Sequence, residues 1–234
     1  MSLPSPQPDA TVLITGASAG IGTELARQLA GRGHNVTLVA RREDRLTELA
    51  EELRRSHGVV ADIQSCDLGD DAARERLIET VKGAERHVAA LCNNAGYGSF
   101  GAFNELDLDG EVRMVRLNVL ALHELTGSFL GPMVARGSGA ILNLASVAAF
   151  QPIPYNATYA ATKAFVHSFS EAISAELNGT GVSVTSLCPG PVETEFGQAA
   201  GVGPRVAAFS GRFVPRSALL PFAARVTERA LRRR

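Results

Sequence analysis

Short runs of β-branched and other apolar residues alternate along the chain with longer stretches whose apolar positions recur every three or four residues. The short runs predict strands at Thr11–Thr15, Asn35–Ala40, Val59–Ser65, Val88–Cys92, Ala140–Ala145 and Ser183–Cys188. Several are nearly continuous in Val, Leu, Ile and Ala, the pattern of a parallel strand covered on both faces. The longer stretches predict helices at Gly20–Arg32, Glu43–Ser56, Ala72–Lys82, Leu108–Ala135 and Thr158–Leu177. This order predicts an α/β fold: a doubly wound parallel sheet in a single domain, with helices on both faces. Ligands in such sheets bind beyond the carboxyl ends of the strands, so the chemistry is sought there.

Composition narrows the function classes. The chain has 234 residues, 45% hydrophobic and 20% charged, with net charge −1. That balance offers no general attraction for nucleic acid. Cys66, Cys92 and Cys188 are widely separated in apolar surroundings and read as core residues of a reducing compartment, which makes the cytoplasm the expected location. No two of the five histidines are closely spaced, and none lies near a cysteine in metal-ligand spacing, so no metal site is expected. Residues 1–10 alternate proline with polar side chains and predict a flexible lead before a body at 11–198. Residues 199–234 predict a Gly-, Pro- and Ala-rich loop followed by a basic helix at Ser217–Arg234. Its apolar side, with Leu219, Phe222 and Val226, is expected to pack on the body, with contact to an anionic membrane as the alternative.

Two strand ends carry the marks of a dinucleotide site. After the first strand comes Thr15-Gly16-Ala17-Ser18-Ala19-Gly20-Ile21-Gly22, leading into a helix. Glycines at 16, 20 and 22 permit a tight turn and close approach of backbone to a pyrophosphate, and the helix start adds amides and its positive dipole end. Where the second strand ends, an acidic residue would take the adenosine ribose hydroxyls of NAD; here Ala40 is followed by Arg41 and Arg42. Two guanidiniums suit a 2′-phosphate, and one charge-assisted contact is worth about 1.5–3 kcal/mol, so NADP(H) is the expected cofactor.

Tyr159 and Lys163 stand one helical turn apart, with Ser146 at the end of the preceding strand. A phenol ionises near pH 10, too high for a neutral acid–base catalyst. An ammonium roughly 5 Å away favours the phenolate by about 3 kcal/mol, or about two pKa units. The pair is therefore expected to bring Tyr159 toward proton-transfer range.

Taken in order, these motifs resemble the short-chain dehydrogenase/reductase family in its compact, single-domain, Rossmann-like branch, over about 11–194. The resemblance implies further sites. Asp67, after the third strand, is similar to an aspartate that contacts adenine. Asn93-Asn94-Ala95-Gly96 resembles a segment bordering the cofactor, and Pro189-Gly190-Pro191-Val192-Glu193-Thr194 one that cups the nicotinamide. Asn118, Ser146, Tyr159 and Lys163 match the catalytic set: Tyr159 as acid or base, Ser146 on the substrate oxygen, Lys163 on the tyrosine and the nicotinamide ribose, and Asn118 on a water reaching Lys163. Relatives carry a further helix and strand at the C-terminus, so this part looks short by about 20–30 residues. A homodimer or homotetramer pairing through the long helix and the Tyr159 helix is expected by the same resemblance.

The reading is therefore an oxidoreductase acting on a carbonyl or secondary alcohol. Phe150 and Tyr155, with Tyr97, Phe100, Phe103, Val147, Ile153 and Phe196, line the expected pocket and favour an apolar lipid-, steroid- or acyl-like substrate. The alternative is a cofactor-binding sensor or partner module with little catalysis, favoured by the short C-terminus.

Overall fold

The computed structural model describes residues 3–190. Six parallel strands, β1 (Ala10–Thr15), β2 (Val36–Ala40), β3 (Ala61–Ser65), β4 (His87–Asn93), β5 (Gly139–Leu144) and β6 (Val182–Leu187), form one sheet in the order β3-β2-β1-β4-β5-β6. The chain runs outward from β1 to β3 and then returns to pair β4 with β1 on its other side. That reversal opens a crevice between the ends of β1 and β4, where a doubly wound sheet binds its ligand.

The helices α1 (Gly20–Ala30), α2 (Glu43–His57), α3 (Asp71–Lys82), α4 (Leu108–Val115), α5 (Leu122–Arg136) and α6 (Ala157–Glu176) cover both faces. Alternate residues of each strand supply the two cores. Val12, Ile14 and Leu38 meet Ala26, Leu29, Leu46 and Leu53 of α1 and α2. Leu13, Leu91 and Ile141 point the other way, onto Leu77, Leu125, Phe129, Met133 and Ile173. Full burial of side chains of this size contributes roughly 1.5–3 kcal/mol each, which is why the strands are apolar on both faces.

Two local features add to the expectation. Residues 3–9 make defined contacts with the body. Asn35 Nδ2 donates to the carbonyls of Gln7, Pro8 and Ala10, His87 N donates to Asp9 O, and Leu3 packs on the α1–α2 core. The stretch 108–135 is not one regular helix: a π-helical segment, Arg116–Ala121, separates α4 from α5. Such a segment holds one extra residue per turn, and it occurs here where Asn118 is drawn to the chain after β4. The expected loop and basic helix at 199–234 lie outside the described residues.

Candidate active site

At the end of β1, Gly16 takes φ +66, and a Cβ at Gly22 would stand 2.2 Å from Gly16 O. Only glycine fits this crossing of the turn by the first turn of α1. Asn94 braces the turn from β4: its Nδ2 donates to Thr15 O and Gly16 O at 2.8 and 3.2 Å. Thr15 Oγ1 in turn accepts from the amides of Asn94 and Ala95. Ala19 caps α1 without a side-chain acceptor, and no acidic residue lies in its first turn. The amides of Ile21 and its neighbours therefore meet no built-in anion, the condition a pyrophosphate needs.

The arginines end β2 beside this turn. Arg42 crosses to it, its Nε and Nη2 donating to Ser18 Oγ at 3.4 and 3.3 Å and Nη2 also to Ser18 O. Arg41 is exposed, and Ser65 Oγ donates to its carbonyl. Asp67 follows β3 and accepts from Gly69 N at 3.0 Å. The chemistry of these side chains and of the glycine turn fits a phosphorylated dinucleotide.

The catalytic candidates converge at the ends of β4 and β5. Ser146 caps a 3-10 turn, Val147–Phe150, accepts from Ala148 N at 3.1 Å, and lies near enough to the Tyr159 hydroxyl to act on it. Lys163 is 6% exposed, and its Nζ donates to Leu144 O at 2.6 Å. Asn118, 2% exposed, clamps the backbone of Tyr97: Nδ2 donates to Tyr97 O at 2.9 Å and Oδ1 accepts from Tyr97 N at 3.1 Å. Gly96 marks the meeting point, since a Cβ there would lie 2.9 Å from Asn118 Oδ1 and 3.6 Å from Lys163 Nζ.

The electrostatics differ from the expectation. Burial pushes the Tyr159 phenol above its ordinary value, and the nearby Ser146 hydroxyl opposes this. Lys163 Nζ sits 5.7 Å from the Tyr159 ring centroid and donates to the Leu144 carbonyl. Burial pushes the ammonium itself down to about 8, with the nearby Cys188 sulfur opposing. Desolvation is the largest cause of the shift in both groups.

Near the expected pocket, Tyr155 holds φ +65, a conformation that costs a side-chain-bearing residue about 1–3 kcal/mol. Its carbonyl accepts from Gly101 N at 2.8 Å, which ties the segment after β4 to the one after β5. Phe150 is 59% exposed and sets its ring edge-on to His167, 4.8 Å between centroids. Pro189 O accepts from Val147 N, and a Cβ at Gly190 would meet nothing within 4 Å among the described residues; Val192, Thr194 and Phe196 lie outside them. Sequence reasoning missed Thr126, Asn143, Thr162 and Ser170, buried polar residues behind the site. Asn93 donates to Thr126 Oγ1 and Asn143 Oδ1, Asn143 to Ser170 Oγ, and Asn118 to Thr162 Oγ1. The signal was an asparagine inside the apolar run of β5, since a buried polar group needs partners.

Among the described residues no cluster of His, Cys, Asp and Glu could hold a metal, and no helix is long and apolar enough to cross a membrane. Residues 10–202 match the family model described as short chain dehydrogenase. Sulfoacetaldehyde reductase 2 of Chromohalobacter salexigens is 41% identical over 79% of this chain and 73% of its own length. A short-chain dehydrogenase from Sphingobium yanoikuyae in complex with NADPH superposes with a TM-score of 0.80 at 37% identity, covering 85% of this chain and 77% of that one. An alcohol dehydrogenase from Thermococcus sibiricus complexed with 5-hydroxy-NADP gives a TM-score of 0.75 at 31% identity, covering 83% and 81%.

Proposed function

The chain belongs to the short-chain dehydrogenase family as an NADP(H)-dependent oxidoreductase acting on CH–OH or C=O groups, and from that premise we propose that Tyr159 is its acid–base and that its substrate is an apolar carbonyl compound. The observation that carries the first part is the convergence of the buried Ser146 and Lys163 on Tyr159. The nicotinamide, when bound, exchanges two electrons with the substrate carbon. Tyr159 gives its phenol proton to the substrate oxygen in reduction and takes it back in oxidation. Ser146 holds that oxygen against the phenol, stabilising the charge that develops on it. Lys163 supplies positive charge below the tyrosine, and Asn118 fixes the chain at Gly96–Tyr97 that borders both.

Arg41 and Arg42 are the proposed 2′-phosphate contacts. Replacing both by alanine is expected to raise the NADPH dissociation constant about 10- to 100-fold and leave that of NADH nearly unchanged. Fluorescence titration of both nucleotides checks this, and an equal loss for the two would remove the assignment.

The substrate reading rests on exposed apolar groups around the mouth: Phe103 and Phe150, each 59% exposed, and Leu187. A second reading, a small anionic carbonyl, is favoured by Arg113 and Arg41, both close enough to act on the Tyr97 phenol, and by the relative named for sulfoacetaldehyde. A panel of bulky ketones and short charged aldehydes, followed by loss of NADPH absorbance, separates them. Higher kcat/KM for the ketones supports the apolar substrate; the reverse order discards it.

Val112, Val115 and Leu120 on the long helix and Phe165 on α6 are each more than a third exposed. Pairing of these faces gives the proposed homodimer or homotetramer, and light scattering at monomer mass would refute it. The unpaired Cys66, Cys92 and Cys188 suit a reducing compartment, so we place the protein in the cytoplasm; fractionation into an oxidising compartment would contradict that.

A further inference from the structure

We propose that Thr162 is a positioning residue for the proton-transfer site, because it joins the Tyr97 backbone in fixing which way the Asn118 carboxamide faces. The inference rests on the oxidoreductase reading above.

Thr162 is 3% exposed and lies on α6 between Tyr159 and Lys163. Its Oγ1 donates to Tyr159 O at 2.7 Å, a back-bond within the helix that many threonines make. Here the hydroxyl has a second contact: it accepts from Asn118 Nδ2 at 3.1 Å. A hydroxyl has one proton, and this one is committed to the Tyr159 carbonyl. Toward Asn118 it therefore presents lone pairs only, and it can meet an NH2 but not a carbonyl oxygen.

That polarity passes along the chain of contacts. With Nδ2 held at Thr162, Oδ1 is left to accept from Tyr97 N, and the second Nδ2 hydrogen reaches Tyr97 O. A flipped carboxamide would face carbonyl to oxygen at Thr162 and at Tyr97 O, and NH2 to N–H at Tyr97 N. The correct orientation sets the position of Gly96–Tyr97, and Gly96 is where Asn118 and Lys163 meet. Thr162 thus ties the helix carrying Tyr159 and Lys163 to the π-helical segment carrying Asn118. It touches no reacting atom itself.

Thr162→Val keeps the shape and removes the hydroxyl; Thr162→Ser keeps the hydroxyl and removes the methyl. In the full chain with NADPH, Thr162→Val is expected to lower kcat about tenfold with KM for NADPH within about twofold, and Thr162→Ser to restore kcat to within about twofold of wild type. An independent readout is the Asn118 side-chain amide pair in a nitrogen–proton correlation spectrum, assigned by its loss in Asn118→Asp. That pair should shift and exchange faster in Thr162→Val and stay in place in Thr162→Ser. An unmoved pair in Thr162→Val, an unchanged kcat, or a serine variant as impaired as the valine one would each overturn the proposal. A wild type inactive on every carbonyl would instead count against the oxidoreductase reading, and the amide pair would still decide the contact.

Discussion

Replacing Tyr159 by phenylalanine is expected to lower kcat for carbonyl reduction by about 10²- to 10⁴-fold while leaving the NADPH dissociation constant within about threefold of wild type. The substitution deletes one hydroxyl. The ring keeps its place on α6, and the glycine turn that receives the pyrophosphate lies at the end of β1, braced independently by Asn94 and Thr15. What is lost is the proton donor and the neighbour of Ser146. Because burial holds the phenol above its ordinary value, the acid form persists through neutral pH and well into the alkaline range. Reduction, which uses that form, should hold its rate up to about pH 8 and decline above it as Lys163 loses its charge. Alcohol oxidation, which needs the phenolate, should climb as pH rises from about 7. Steady-state rates in both directions with nucleotide binding check the set. A phenylalanine variant that keeps more than about a tenth of the rate would remove Tyr159 from the acid–base role.

The parts of this site legible in the sequence were those whose meaning is local. Gly16, Gly20 and Gly22 lie within one turn of chain, and Tyr159 and Lys163 within one turn of helix, so spacing alone places them. The strands were legible because a parallel sheet covered on both faces demands apolar runs, and β1, β2 and β5 are buried at every position. The π-helical segment was not legible: within it Asn118 bonds Tyr97, 21 residues away, a contact that no pattern within 108–135 encodes. Asn93 and Asn143 meet across 50 residues, through a strand register that only the assembled sheet fixes. Likewise, the proline-rich opening reads as loose from its composition, and the contacts it makes come from Asn35, far along the chain. The tyrosine–lysine argument was incomplete for a related reason. Spacing gives the distance between two charges, but not how much water each has lost, and here the lost water decides both shifts.

That same desolvation makes Lys163 a group whose removal should stabilise the fold while stopping the chemistry. The Nζ is buried, with Leu144 O as its acceptor, and the pKa falls from 10.5 to about 8. Below about pH 8 both the folded and unfolded chains carry the proton, and the folded chain bears the full cost of a buried ammonium, roughly 3 kcal/mol. Between about 8 and 10.5 the unfolded chain still holds a proton that the folded one has released, so stability rises with pH across that window. Lys163→Met keeps the length and removes the charge. It also leaves Leu144 O without its donor, which offsets about 1 kcal/mol. The variant is therefore expected to unfold in urea with a stability about 2 kcal/mol above wild type near pH 7, and the gap should close toward about pH 10. Its turnover should fall at least about 100-fold, because Tyr159 loses the positive charge beneath it. A methionine variant less stable than wild type near neutral pH, or a gap indifferent to pH, would mean that the buried ammonium is not under strain. A more stable but inactive variant would mean that Lys163 is kept for its chemistry against its effect on the fold.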